Sequence, residues 1–186
     1  MRIISGSLKG KKLLQPIDQN TRPLKDLVKE SIFNILQHSD ENKVELLNSN
    51  ILDLFSGTGS FGIECISRGA KKVVFNENHF NSIKILEKNI KNLNLEDKSE
   101  IIKENVYDLN NHSFKEKFDI IFLDPPFRDK NLNFLIEKLV KLKISNSKTV
   151  VIIHRNKKTN ETISNNFDIT REKVFGLSKI LFGRII

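Results

Sequence analysis

A chain of 186 residues with 38% apolar content and 13 Phe can fill one core, which argues for a single domain over 1–186 and against two. Its 31 Lys and Arg against 23 Asp and Glu leave a net charge of +8, a balance that attracts polyanions. The lone Cys65 excludes an internal disulfide, and the four scattered histidines show no ligand spacing, so no metal is expected.

Residues 2–14 alternate weakly around Gly6 and Gly10 and predict a short β-hairpin. Arg2, Lys9, Lys11, Lys12, Arg22, Lys25 and Lys29 crowd the first thirty residues, with Asp18 and Asp26 as the only acids before Glu30. That density makes residues 1–37 a candidate RNA-binding extension, with Lys9, Lys11 and Arg22 as phosphate contacts; each charge taken singly also reads as solvated surface. Pro23 suits the first turn of a helix whose apolar stripe runs through Leu27, Val28, Ser31, Ile32, Ile35 and Leu36. Residues 38–49 read as a polar connection.

The core, 50–186, then alternates strand and helix. A buried strand over 51–55 runs into Ser56-Gly57-Thr58-Gly59-Ser60-Phe61-Gly62 and a helix over 60–68. Three glycines spaced G-x-G-x-x-G between strand and helix let a backbone approach a nucleotide closely. The next strand, 72–76, is followed by Glu77, twenty positions after Gly57, where a carboxylate can accept the hydroxyls of a ribose. Asp53 puts a negative charge where a dinucleotide's pyrophosphate would lie, which favours a ligand with a cationic, amine-bearing head. Cys65 lies on the apolar helix after the loop and reads as packing, and Glu64 reads as an ion-pair partner for Arg68 at i+4.

A helix over 79–93 and a strand near 99–103 lead to Asn105 and Val106, candidates for the adenine edge, although Asn is also a common turn residue. The strand over 118–123 ends in Asp124-Pro125-Pro126-Phe127. Two successive prolines make a stiff corner at the carboxyl end of a strand, where open α/β sheets bind ligands. The Asp124 carboxylate and the Pro125 carbonyl can accept both hydrogens of a planar amine, and Phe127 can stack on the ring bearing it. Read alone, the tetrapeptide is also a Pro-rich turn with Asp as a local cap. Arg128 and Lys130 beside it are further phosphate candidates. A helix over 131–142, a strand over 148–153 and two runs, 167–175 and 179–185, separated by Gly176 complete the chain. Alternating β and α imply a parallel sheet with right-handed crossovers, made mixed by a closing antiparallel hairpin. No apolar run approaches the ~18 residues of a membrane span, and the amino terminus lacks the apolar core of a signal peptide, so a cytoplasmic location is the default expectation.

Four stretches together resemble one family. Arg2 through Leu13, Thr21-Arg22-Pro23 with Lys29 through Leu36, Leu52 through Ala70, and Asp124-Pro125-Pro126-Phe127 look like the RsmD family of ribosomal RNA guanine-N2 methyltransferases. The first two stretches are the narrower signature; the last two are shared with other amino-methyltransferases. The resemblance implies a Rossmann-like class I methyltransferase fold with a mixed, mostly parallel seven-stranded sheet and helices on both faces. It implies S-adenosylmethionine held by Asp53, Phe55, Gly57, Gly59, Glu77, Asn78, Asn105 and Val106, with Asp124, Pro125, Pro126 and Phe127 as the catalytic loop. The implied substrate is a guanine N2 of small-subunit (16S) ribosomal RNA, within a partly assembled particle; a monomer is the default expectation. The chain departs from the family at Leu24 and Lys25, at Asn76, and at His154 and Arg155, which end the fifth strand where an acid is common.

Three other readings remain open on the residues alone. An adenine-N6 methyltransferase would use the same amine-binding corner. An NAD-dependent oxidoreductase would use the same glycines, but Asp53 and the Asp124 loop speak against it. A non-catalytic RNA-binding protein would keep the fold and lose the chemistry.

Overall fold

The computed structural model describes residues 1–15, 24–159 and 161–186. Its elements follow in the order α1 (Asp26–His38), β1 (Asn50–Leu54), α2 (Ser60–Ser67), β2 (Lys72–Asn76), α3 (Phe80–Asn92), β3 (Ser99–Ile102), β4 (Ile120–Leu123), α4 (Leu132–Leu142), β5 (Val150–Asn156), β6 (Phe167–Phe175) and β7 (Ser178–Ile185). Among the described residues no helix is long and apolar enough to cross a membrane.

The seven strands form one sheet in the order β3-β2-β1-β4-β5-β7-β6. The first five are parallel, and β7 returns antiparallel to β5 and carries β6 at the edge. The order reverses at β1, whose neighbours are β2 and β4, and this switch point is where ligands bind in open α/β sheets. Central strands buried on both faces read as unbroken apolar runs, which is why Ile51-Leu52 and Ile120-Ile121-Phe122-Leu123 were legible. One core packs α1, α2 and α3 on Ile51, Phe75, Phe122 and Ile152; the other packs α4 on Leu52, Leu123, Val151 and Ile153.

The amino-terminal segment closes as the expected short antiparallel hairpin, with the bridge Arg2↔Lys12 and backbone bonds from Ile3 N–H to the Lys11 carbonyl at 2.9 Å, Gly10 N–H to the Ile3 carbonyl at 2.9 Å and Leu13 N–H to the Met1 carbonyl at 3.1 Å, and it also docks on α2. Two other expectations, for α1 and β5, are corrected. Ile4 and Ser5 donate to the Glu64 carboxylate at 2.8 and 2.9 Å, and Ser7 donates to the Ser67 carbonyl at 2.7 Å. Gly6 permits this approach, since a Cβ there would lie 1.8 Å from the Ser67 carbonyl oxygen. The buried stripe of α1 is rotated: Lys29 and Phe33 face inward, and Leu27 is 67% exposed. Lys29 therefore leaves the basic surface altogether and lies, fully buried, beside Glu64, which also takes the expected ion pair from Arg68 at 2.9 Å. β5 runs to Asn156, beyond the expected end at 153, because β7 pairs with it through Asn156↔Ser178. Arg22 and Pro23 lie outside the described residues.

Candidate active site at the carboxyl ends of the parallel strands

Side chains alternate between faces along a strand, so Asp53, Asp124 and His154 continue the same face as Ile51, Phe122 and Ile152. They project toward the α1–α3 layer at the ends of β1, β4 and β5.

Asp53 is 1% exposed, and its Oδ2 accepts the Gly62 N–H at 2.9 Å, which ties β1 to the first turn of α2. Burial pushes its carboxyl up to about 8 against that bond, with the negative charges of Asp124 and Glu77 adding to the rise. A cation placed beside it would favour the ionised form. The chain leaves β1 through Phe55, whose φ of 58° is unusual for a residue with a Cβ. Gly57 follows at φ 56°, and the position of its absent Cβ is open space, which is what a loop that accepts a ligand edge requires. Gly59, at φ 85°, caps α2.

Glu77 braces this loop. Its Oε2 accepts the Gly57 N–H at 2.7 Å, and its Oε1 accepts those of Asn78 and His79 at 3.0 and 2.8 Å. Three of about four lone-pair positions are thus engaged by backbone. A ribose diol would take the remaining position on Oε2 and share another. Asn78 is exposed next to it. Asn105 is a turn residue here: its Oδ1 accepts the Tyr107 N–H at 3.1 Å, and its carbonyl accepts that of Asp108 at 2.8 Å. Val106 is 3% exposed and packs in the α4-side core.

The Asp124 corner is held from below. Its backbone N–H donates to the Leu54 carbonyl at 3.3 Å, and its Oδ1 lies 2.7 Å from His154 Nδ1. Pro125 is buried and Pro126 exposed. The fully buried Arg155 guanidinium donates to the Asp129 carbonyl at 2.7 Å and the Pro126 carbonyl at 3.4 Å while pairing with Glu161. Tyr107 donates its hydroxyl to Asp129 Oδ2 at 2.7 Å, and burial beside that carboxylate pushes its phenol up. Phe127 meets the His154 ring edge to face, centroids 5.5 Å apart at 81°. Among the described residues, neither Asp124 Oδ2 nor the Pro125 carbonyl accepts a hydrogen bond.

The structure therefore brings Asp53, Phe55, Gly57, Gly59, Glu77 and Asn78 to one side of the switch point and the Asp124–Phe127 corner to the other. Lys9 and Lys11 are exposed on the turn docked against α2, and Arg128 and Lys130 are exposed on the catalytic loop itself. His154, Arg155, Tyr107 and Asp129 were not expected in the site. No local sequence signal marks them: it is the register Leu123↔Ile153 that makes Asp124 and His154 cross-strand neighbours.

Comparison with known proteins agrees with this geometry. The model of the family described as conserved hypothetical protein 95 matches residues 1–184. The ribosomal RNA small subunit methyltransferase D of Haemophilus influenzae is 32% identical over 183 residues, 95% of this chain and 90% of its own length. The protein of the same name from Buchnera aphidicola of the pea aphid Acyrthosiphon pisum is 32% identical over 92% of this chain and 86% of its own. The solved structure of Escherichia coli yhhF, a methyltransferase by name, superposes with a TM-score of 0.82 at 26% identity, covering 100% of this chain and 98% of that one. With its sheet order, its glycine loop and its Asp-Pro-Pro-Phe corner, the chain belongs to the conserved hypothetical protein 95 family, that of the RsmD methyltransferases.

Proposed function

We propose that this chain is an S-adenosylmethionine-dependent methyltransferase that acts, as a monomer, on the exocyclic N2 amine of a guanine in small-subunit ribosomal RNA, within a partly assembled particle. The observation that carries the reading is the pair of unengaged acceptors, Asp124 Oδ2 and the Pro125 carbonyl, at a corner braced by Arg155 and His154. The names of the Haemophilus and Buchnera relatives support the substrate class.

The residues fit the cofactor. Asp53 is a buried carboxylate that a ligand ammonium would return to its ionised form, Gly57 leaves room for a ligand edge, and Glu77 retains acceptor capacity for a ribose. Phe55 would shape the methionine side and the exposed Asn78 would border the adenine side, while Gly59 packs on Leu86 and Phe75, Asn105 closes a turn and Val106 fills the core. S-adenosylmethionine supplies an electrophilic methyl carbon on a sulfonium, which leaves as a neutral thioether.

The chain's own contribution is positional and electrostatic. Guanine N2 is a weak nucleophile because its lone pair is delocalised into the ring. Asp124 Oδ2 and the Pro125 carbonyl, each accepting one N–H, favour a pyramidal nitrogen and free that pair. They also stabilise the positive charge that develops as the N–C bond forms. Phe127 stacks on the base, worth roughly 1–3 kcal/mol. Holding the amine rigidly supplies several kcal/mol more, on the order of other intramolecular alignments. After transfer, the proton leaves nitrogen toward Asp124 Oδ2. The target nucleotide must be extruded from its helix or lie in a loop to enter. Arg128 and Lys130, exposed on the catalytic loop, and the exposed Lys9 and Lys11 of the amino-terminal turn are the candidate phosphate contacts.

Mass-spectrometric mapping of 16S ribosomal RNA nucleosides with and without the gene tests this reading. The account expects one guanosine to lose an N2 methyl group in the deletion. Loss of an N6-methyladenosine, or no change, would overturn it.

A further inference from the structure

We infer that His154 is a positioning residue for the amine-binding corner, pinning one oxygen of Asp124 so that the other is presented to the substrate. The register Leu123↔Ile153 carries the two strands one residue further and sets Asp124 and His154 side by side. Nδ1 of His154 lies 2.7 Å from Asp124 Oδ1, and the Asp124 side chain is 24% exposed while that of His154 is 6% exposed. An ionised carboxylate only accepts, so Nδ1 carries the hydrogen of this bond.

A second observation is independent of that bond. The other ring nitrogen, Nε2, is buried with no hydrogen-bond partner. A buried polar atom without a partner is unfavourable, and the great majority of such atoms are satisfied. A residue chosen for packing alone would be apolar here, like Ile152 and Ile153 before it. The imidazole earns its place through Nδ1. Its ring also meets Phe127 edge to face at 5.5 Å, so a single side chain fixes both the carboxylate that takes the amine and the ring that stacks on the base. With Oδ1 held, Asp124 cannot swing to offer both oxygens to one partner, and only Oδ2 aligns the incoming N–H.

This inference rests on the reading that Asp124 receives the amine, and its test separates the two. Tritiated S-adenosylmethionine is supplied to small ribosomal subunits isolated from a strain lacking the gene, with wild type, His154→Ala, His154→Phe and His154→Asn. An asparagine places an amide N–H where Nδ1 stood, whereas phenylalanine keeps the ring and its packing without the donor. Loss of a hydrogen bond to a charged group predicts a fall in kcat of about tenfold or more in the Ala and Phe variants. The KM for S-adenosylmethionine stays within about twofold of wild type, because His154 does not touch the Asp53 side of the site; that near-constancy is what loss of a group acting at the transferring amine alone would give. His154→Asn recovers kcat to within about threefold of wild type, since its amide restores the donor. Melting curves of the same proteins report folding separately. A Phe variant as active as wild type, or an Asn variant no better than Ala, overturns the inference. Wild type that transfers no methyl group to these subunits overturns the proposed function itself.

Discussion

The Lys29 ammonium lies 3.5 Å from the Glu64 carboxylate, and neither side chain has any solvent exposure. Glu64 also accepts the backbone N–H groups of Ile4 and Ser5 and the Arg68 guanidinium, while Lys29 donates to the Arg2 carbonyl at 3.0 Å and the Ser60 hydroxyl at 3.3 Å. One buried ionic cluster thus joins the basic amino-terminal segment, α1 and the start of the helix that follows the cofactor loop. Burial lowers the Lys29 pKa, and the Glu64 charge opposes that shift.

Glu64→Ala should be among the most destabilising single changes in the chain. It strands a buried ammonium and frees two backbone donors, and breaking a buried pair by removing one partner costs about 3–5 kcal/mol. At the usual entropy of unfolding for a chain of this length that corresponds to a fall in Tm of about 10 °C. Thermal unfolding followed by circular dichroism checks it. Lys29→Met combined with Glu64→Gln should recover part of the loss, because no unpaired charge then remains.

Asp53 links stability, cofactor binding and pH. Its folded-state pKa, about 8, lies above the ordinary value of 3.8, so the folded chain holds a proton that the unfolded chain has released. That contribution is fully present below pH 3.8 and is lost as pH rises toward 8, at up to about 1.4 kcal/mol per pH unit. Urea unfolding of the free protein at pH 5.5 and pH 8 (roughly either side of neutrality) should therefore show lower stability at the higher pH. Asp53→Asn should flatten the difference. Binding of a ligand ammonium should release a proton near neutral pH, seen as a dependence of the calorimetric heat on buffer ionisation enthalpy.

Arg155 is fully buried, with its guanidinium shared among Glu161 and the carbonyls of Pro126 and Asp129. Arg155→Met should leave the sheet intact and loosen the corner, lowering kcat by about tenfold or more, since small misplacements in a near-attack geometry are costly. Hydrogen exchange at the Asp129 amide, which donates to the Pro126 carbonyl at 2.8 Å, should accelerate in the same variant.

Gly57→Ala separates a ligand contact from a packing contact. No atom lies within 4 Å of the added Cβ, so only the positive φ is strained, at about 1–2 kcal/mol. The folded protein should survive with a modest drop in Tm, while its KM for S-adenosylmethionine rises several-fold. An unchanged KM would remove Gly57 from the cofactor site.

Features that depend on local spacing were legible in the sequence. β2 has its expected bounds, Lys72–Asn76, because a short apolar run buried on both faces is a local signal, and the terminal hairpin turns at Gly176 as expected, because a glycine between two strand-like runs is another. Asp53, Gly57, Glu77 and Asp124 were legible as candidates because each stands at or just beyond a strand's end. What depended on register was not legible. His154 and Arg155 enter the site only because β5 is laid beside β4 and lengthened by β7. Lys29 was read as surface because a lysine on a helix usually is; its burial requires Glu64, 35 residues away in sequence and supplied by a different helix. Leu27 shows the limit of a helical stripe broad enough to be rotated by one position without losing its apolar character.

The most direct measurement is methyl incorporation by wild type and Asp124→Ala into small ribosomal subunits lacking the modification, with the labelled nucleoside identified after digestion. The account predicts label in N2-methylguanosine with wild type and a loss of at least about a hundredfold with Asp124→Ala, S-adenosylmethionine still binding to both. Incorporation by Asp124→Ala at the wild-type rate would contradict it.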